Sequence, residues 1–234
     1  MLSALATLDE DHPRNRRVTV SGRVLDTLRD AIIQLRFSPG NPLSEADVAR
    51  QLGVSRQPVR EAFIKLAEAG LLEIRPQRGT FVRKISRREV ANARFIREAI
   101  EVAIARKAAA EATGDRLSDL DALIEGQRRA AGDGDHAGFL RLDEAFHQGL
   151  ADAAGCEDAW RVLEGLKAQM DRVRYLSLPD ATPLHVLIEQ HAAILDGVRA
   201  RDPDRAEAAM KRHLSEILFS LPRLAEAHPA FFLD

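Results

Sequence analysis

Ser44-Glu-Ala-Asp-Val-Ala-Arg-Gln-Leu-Gly-Val-Ser-Arg-Gln-Pro-Val-Arg-Glu-Ala-Phe63 is the stretch that decides the fold. Ser44 is placed to cap a short helix, with Asp47 three residues on as a capping box. Gly53 supplies a turn, Ser55 caps a second helix over about 56–69, and Gly70 closes it. Val54, Val59, Phe63 and Leu66 pack that helix onto its module. Downstream, Leu72–Ile74 and Thr80–Val82 alternate around a polar, glycine-tipped turn and predict a hairpin. Upstream, a helix over about 21–36 carries Val24, Leu28, Ile32 and Leu35 on one face, and Ser38-Pro39-Gly40 ends it. Helix, turn, helix and hairpin in this order make a winged helix-turn-helix, which places one helix in a DNA major groove.

The second helix carries the chemistry for that task. Arg56 and Arg60 lie four apart and share a face, and an arginine fork matches O6 and N7 of guanine. Ser44, Ser55 and Gln57 stand at helix starts, where short polar side chains and free N–H groups hold phosphate. Arg75 and Arg78 flank the hairpin tip, and Gly79 there permits close approach to a backbone. The plain alternative is a solvated helix with two arginines. The turn, the Ser-Arg start and the basic hairpin occurring together favour DNA.

Charge divides the chain in the same place. Residues 1–88 hold 16 Lys/Arg against 10 Asp/Glu, a net +6, and the remainder holds 18 against 26, a net −8. A basic module joined to an acidic one suits a polyanion reader with a partner domain. From Lys84 on, the pattern is helical: about 89–112, 116–131, 135–154, 157–177, 183–200 and 203–225. Ser86 with Glu89 forms a capping box, Gly114 and Gly155 stop helices, and Thr182-Pro183 and Asp202-Pro203 start them. The expected fold is mostly α: a winged helix-turn-helix followed by an all-α bundle of about six helices. The expected divisions are a flexible arm at 1–19 with Arg14, Arg16 and Arg17, a DNA-binding domain at 20–83, a linker at 84–88, an effector and dimerisation domain at 89–226, and a tail at 227–234. Cys156 is alone, which points to a reducing compartment, and no apolar run reaches about 18 residues. These features predict a soluble cytoplasmic protein with no membrane partner.

In the acidic part, His191 and His213 each sit at the centre of an apolar stripe, and Asp143 precedes His147 by one helical turn. One carboxylate and three imidazoles can bind a divalent transition ion, zinc first, with nickel or manganese as alternatives. Each histidine taken alone reads as well as a satisfied core residue. Arg97 lies beside the stripe Val90, Ile100, Ile104 and needs an anion, either an effector carboxylate or an acid of the chain, Glu101 or one on another helix. Arg172 and Arg174 are weaker candidates for the same effector. His136 and His185 read as surface residues, and His12 and His228 carry no signal.

Leu52-Gly-Val-Ser-Arg-Gln-Pro-Val-Arg-Glu-Ala62 with Gly70-Leu71 and Arg78-Gly-Thr-Phe-Val82 resembles the GntR family of bacterial transcription regulators. The resemblance implies a dimer on a palindromic operator, with Arg56 and Arg60 at positions that contact bases and Gly79 at the minor groove. Ala46 departs from it, because many members carry a DNA-contacting arginine there. Arg97-x-x-x-Glu101, Asp143-x-x-x-His147, Glu189-x-His191 and His213 are similar to the FCD effector domain of the FadR subfamily. That similarity implies that Asp143, His147, His191 and His213 hold one metal ion, which helps bind a small carboxylate. Cys156 departs from the asparagine that often follows the matching glycine. The reading is therefore a ligand-controlled transcription regulator and not an enzyme. The alternative is a metal-dependent hydrolase with an accessory nucleic-acid module, against which stands the lack of a His-Glu-x-x-His pattern.

Overall fold

The computed structural model describes residues 19–178 and 183–233. The arm with Arg14, Arg16 and Arg17, His12 and the Thr182 cap lie outside them. The chain forms two compact units. One runs to Arg87 and takes in the segment from His228 onward, and the other is Arg88–Ala227.

The first unit opens with α1 (Val20–Ile33), capped by Thr19, whose hydroxyl accepts from Gly22 N at 3.1 Å. Val24, Leu28, Ala31 and Ile32 recur at helical spacing and are buried. The helix stops two residues before Leu35, which turns left-handed at φ 55° and does not join the face. Strand β1 (Pro42–Leu43) leads into α2 (Glu45–Leu52), which ends on Gly53 at φ 64°. Helix α3 (Arg56–Glu68) follows after a three-residue turn, with Val59, Ala62, Phe63 and Leu66 packed inward. Strands β2 (Leu72–Arg75) and β3 (Gly79–Val82) form the hairpin. β1 adds to it antiparallel in the order β1-β3-β2. The two-residue β1, which begins on a proline, leaves no alternation to read from sequence.

The hairpin tip differs from the expected glycine tip. Gly79 pairs with Arg75 as the first residue of β3. The tip is Pro76-Gln77-Arg78, closed by Arg78 N donating to Arg75 O at 3.0 Å, with Gln77 left-handed at φ 59°. Proline followed by a left-handed residue is the pattern of a type II turn. One further pair of short strands completes this unit. β4 (Ile85–Ser86) lies parallel to β5 (Phe232–Leu233), and Ile85 and Phe232 are buried.

The second unit contains seven helices among the described residues. They are α4 (Arg87–Glu111), α5 (Gly114–Gly132), α6 (His136–Ala153), α7 (Glu157–Leu166), α8 (Ala168–Ser177), α9 (Leu184–Arg199) and α10 (Pro203–Ala227). The stretch 157–177, expected as one helix, breaks at Lys167. Gly165 lies in the last turn of α7, two residues before the break. Lys167 is buried there, with its ammonium between Glu144 and Asp171. Asp202 caps α10 as expected, accepting from Arg205 N at 3.0 Å, while Pro183 stands at the cap of α9 and not inside it. Helices α9 and α10 approach very closely. A Cβ on Gly197 would lie 2.6 Å from Ala206 N, so only glycine fits. That approach sets His191 on α9 against His213 on α10.

Candidate metal centre and DNA-reading face

Six helices of the bundle contribute to one buried polar cluster. Asp143, His147, His191 and His213 are all buried, and one ligand atom from each lies within 4.8 Å of the others. His147 Nε2 is 3.1 Å from His213 Nε2, and His191 Nε2 is 3.4 Å from it. His191 Nε2 lies 3.6 Å from Asp143 Oδ1. Phe146 stacks on His191 at 4.6 Å between ring centroids, and Trp160 lies parallel to His147, so apolar walls surround the cluster.

The outward-facing nitrogens fix which atoms carry protons. His191 Nδ1 meets Gln127 Oε1 at 2.8 Å, and His213 Nδ1 meets Gln190 Oε1 at 3.1 Å. The orientation of both amides is set by their other ends. Gln127 Nε2 donates to Leu142 O at 3.2 Å and Gln190 Nε2 to Glu216 Oε1 at 2.8 Å. Each glutamine therefore presents an acceptor to its imidazole, the proton sits on Nδ1, and Nε2 keeps its lone pair. His147 Nδ1 is 2.5 Å from Glu101 Oε2, an ion-pair distance, though the angle falls outside hydrogen-bond geometry.

Lone pairs on His191 Nε2 and His213 Nε2 thus face one another without a proton to share, and His147 Nε2 lies against the same His213 nitrogen. Beside them Asp143 Oδ1 is buried with no hydrogen-bond partner, while Oδ2 is held by Arg174. Buried polar atoms are normally satisfied, and a set of three imidazole nitrogens and one carboxylate oxygen is a donor set for a divalent transition ion. The two glutamines and the glutamate against the far nitrogens are the outer support that ligating histidines use. The residues present fit a metal ion.

Electrostatics support the same charge states. Burial pushes His191 down to about 3, against a partial upward pull from Asp143. Burial and the neighbouring histidines push His213 well below its usual value. Burial would raise the Asp143 carboxyl, but Arg174 and the histidines outweigh it and hold it well below the carboxylate range. Glu101 is held down to about 2, because Arg97 and His147 outweigh its burial.

A cavity opens beside the cluster. Asp143 and His213 form its polar floor, and Arg94, Arg97 and Arg174 line it together with apolar Met170 and Leu187. Of the expected effector residues, Arg97 and Arg174 reach this cavity. Arg97 is also the buried ion-pair partner of Glu101, one of the anions expected for it. Arg172 does not reach the cavity. It is fully buried on α8 and donates to Gln169. The sequence reading overlooked Arg94, Gln127 and Gln190. Gln127 follows Leu120 and Ile124 on the buried face of α5, and a glutamine in an apolar stripe was the available signal.

In the first unit, Ser44 caps α2 by accepting from Asp47 N at 3.3 Å. Ser55 occupies the cap position of α3 but makes no side-chain cap bond, contrary to expectation. Arg56 and Arg60 are exposed and close to Glu45. Gln57 donates to Glu61 Oε1 at 3.1 Å along the same helix. On the wing, Arg75 is tied down, donating to Glu73 at 2.8 Å and lying 4.6 Å over the ring of Phe81. Arg78 and Gly79 are exposed.

Residues 20–82 match the bacterial regulatory proteins of the gntR family, and residues 93–216 match the FCD domain. The HTH-type transcriptional repressor RspR of Escherichia coli K12 is 44% identical over 215 residues, 92% of this chain and 94% of its own. The HTH-type transcriptional repressor NanR of Cronobacter sakazakii is 28% identical over 232 residues, covering 90% and 88%. A GntR transcriptional regulator from Rhodococcus sp. RHA1 matches with a TM-score of 0.73 at 27% identity, over 86% of this chain and 97% of that one. E. coli McbR/YncC has the same fold, with a TM-score of 0.76 at 21% identity over 90% and 99%. The chain belongs to the GntR family of bacterial transcription regulators and carries an FCD domain after its DNA-binding domain. It is a DNA-binding regulator, and the hydrolase alternative falls with that assignment. Among the described residues no helix is long and apolar enough to cross a membrane.

Proposed function

We propose that this regulator is a cytoplasmic repressor whose grip on its operator is set by a small carboxylate bound at the buried centre of the bundle. The observation that carries this is the convergence of three imidazole nitrogens and the unpartnered Asp143 Oδ1 beside an arginine-lined cavity. Asp143, His147, His191 and His213 hold one divalent ion, zinc first and nickel or manganese as alternatives. When bound, the ion supplies positive charge against which a carboxylate oxygen can settle. Arg97 and Arg174, with Arg94 beside them, neutralise the rest of the anion. The repressor sign is supported by the names of its relatives RspR and NanR.

The chain acts as a homodimer on a palindrome. Helices α4 and α10 are tied by Arg94 to Leu214 O and by Arg106 to Asp204 and Glu207, and they leave Phe95 and Phe219 70% exposed. Large aromatics left open on neighbouring helices need cover, which a second copy provides. On DNA, Arg56 and Arg60 read bases, Ser44, Ser55 and Gln57 contact phosphate, and Arg78 with Gly79 follows the backbone from the wing. The effector works by population shift, favouring one arrangement of the two readers.

Elemental analysis of protein purified without chelator or metal-affinity tag tests the centre. About one equivalent of a transition metal is expected, and His191→Ala should lower occupancy and effector response together. Less than about a tenth of an equivalent, with no thermal shift on adding zinc, nickel or manganese, returns the cluster to core histidines. Arg60→Ala tests the reader. It should cost about 1–3 kcal/mol of operator affinity with an unchanged melting curve.

A further inference from the structure

We propose that Glu45 sets the discrimination between operator and other DNA. It does so by drawing Arg56 and Arg60 together and by keeping a negative charge where the reader meets phosphate. The proposal rests on the reading of Arg56 and Arg60 as base contacts.

Glu45 is the first residue of α2, directly after the Ser44 cap. Its Oε2 lies 3.6 Å from Arg56 Nη2 and 3.6 Å from Arg60 Nε. One carboxylate oxygen therefore faces two guanidinium groups that stand one turn apart on α3. The Glu45 side chain is 24% exposed, against 66% and 62% for the arginines, so the carboxylate lies partly covered beside two free forks. Glu45 also lines the concavity that it shares with Arg56 and with Gly79 and Thr80 of the wing. It stands where the recognition helix and the wing converge.

Stability does not account for this placement. Solvated ion pairs contribute little to folding, and 3.6 Å is beyond hydrogen-bond reach. What the carboxylate changes is how the arginines meet DNA. Two like charges one turn apart repel, and the nearest anion for either is a phosphate. Phosphate contacts carry no sequence information, and they supply nearly all non-specific binding. A carboxylate between the arginines pulls both forks to one side of α3 and repels any phosphate oxygen that comes as close. Guanine O6 and N7 are neutral acceptors and escape that repulsion. A complex on the operator keeps its base contacts, while a complex held by phosphates alone bears the cost. Glu45 is thus a positioning residue for the readers and a brake on non-specific binding.

The test uses full-length protein and an operator selected from a random duplex pool. Wild type, Glu45→Gln, Glu45→Asp and Arg60→Ala are titrated against the selected site and a scrambled duplex over a range of salt. Glu45→Gln should bind the scrambled duplex about tenfold more tightly, and the ratio of operator to scrambled affinity should fall by at least that factor. Its salt slope on scrambled DNA should steepen by about one. Glu45→Asp, which keeps the charge, should retain most of the ratio, and both variants should melt with the wild type. If Glu45→Gln weakens both duplexes by the same factor, or leaves the ratio as it was, the residue is structural and the proposal fails. Arg60→Ala separates the layers. Unchanged operator affinity in that variant overturns the base-reading assignment and the proposal with it. Lost operator binding in Arg60→Ala, together with an unchanged ratio in Glu45→Gln, overturns the role of Glu45 alone.

Discussion

Both units set arginine against carboxylate, and the two settings have opposite consequences. In the reader, Arg56 and Arg60 face Glu45 from solvent, so water screens the pairs and the forks remain free to exchange a carboxylate for a base. In the bundle, Arg97 with Glu101 and Arg174 with Asp143 are buried, and each carboxylate also faces a histidine. No member can be removed there without stranding another charge away from water. The same pairing gives an exchangeable surface in one unit and a fixed buried cluster in the other, and access to solvent makes the difference.

The largest effect expected from breaking this comparison is at Asp143. Asp143→Ala leaves Arg174 buried without its main partner and removes the only carboxylate in the donor set. The metal-free bundle should lose about 3–5 kcal/mol, the cost of breaking a buried pair. Trp160 is the chain's single tryptophan and lies beside His147, so its fluorescence in a urea titration reports this unit. A loss near that of an exposed pair would mean that the centre is more hydrated than its burial indicates.

Acid should act on the same groups. His191 is pushed from 6.5 down to about 3, so between those values the unfolded chain binds a proton that the folded bundle refuses. Stability of the metal-stripped protein should be full above 6.5 and should fall as pH drops below it. A second loss follows from Glu101, which is held from 4.5 down to about 2. Its contribution is present above 4.5 and disappears as pH falls toward 2. The midpoint of urea unfolding measured from pH 8 to pH 2 checks both. A midpoint independent of pH between 7 and 5 would show that His191 carries its proton in the folded state.

The sequence made the exposed half of the comparison easy to read and the buried half only partly so. Arg56 and Arg60 were legible because helical spacing alone fixes which residues share a surface face, although their contact with Glu45 of α2 was not. Asp143 and His147 were legible as one turn of one helix, and the two central-stripe histidines as polar residues on buried faces. Their convergence, however, depends on the tight contact at Gly197 and on the partners Gln127 and Gln190, which come from packing between helices. The break at Lys167 was hard to read for a related reason. Gly165 near the end of α7 was the one local signal, and the inward-turned lysine held by Glu144 and Asp171 depends on packing between helices. Strands β1, β4 and β5 have two residues each, too few for a period to show.

A smaller effect should separate the units by what stabilises them. Phe232 is buried where β5 pairs with β4, within the reader's unit. Phe232→Ala should cost that unit about 1.5–3 kcal/mol through lost apolar burial. Hydrogen exchange should show faster opening of α1 and α3 while the Trp160 signal keeps its midpoint. Equal loosening of both units would indicate that they unfold as one.

The smallest expected effect compares two serines that look equivalent in sequence. Ser44 and Ser55 each precede a helix, yet only Ser44 accepts a backbone hydrogen bond, from Asp47 N. Ser44→Ala should therefore lower stability by about 1 kcal/mol, the usual cost of a lost cap. Ser55→Ala gives up no such bond, and its melting temperature should stay with the wild type. Its hydroxyl is left for phosphate at the start of the recognition helix, so the variant should bind all duplexes somewhat less tightly without changing their order. Melting curves and titrations of both variants against operator and scrambled DNA decide the matter. If Ser55→Ala melts early and binds normally, Ser55 is a cap after all, and the phosphate contact belongs to the backbone of α3 alone.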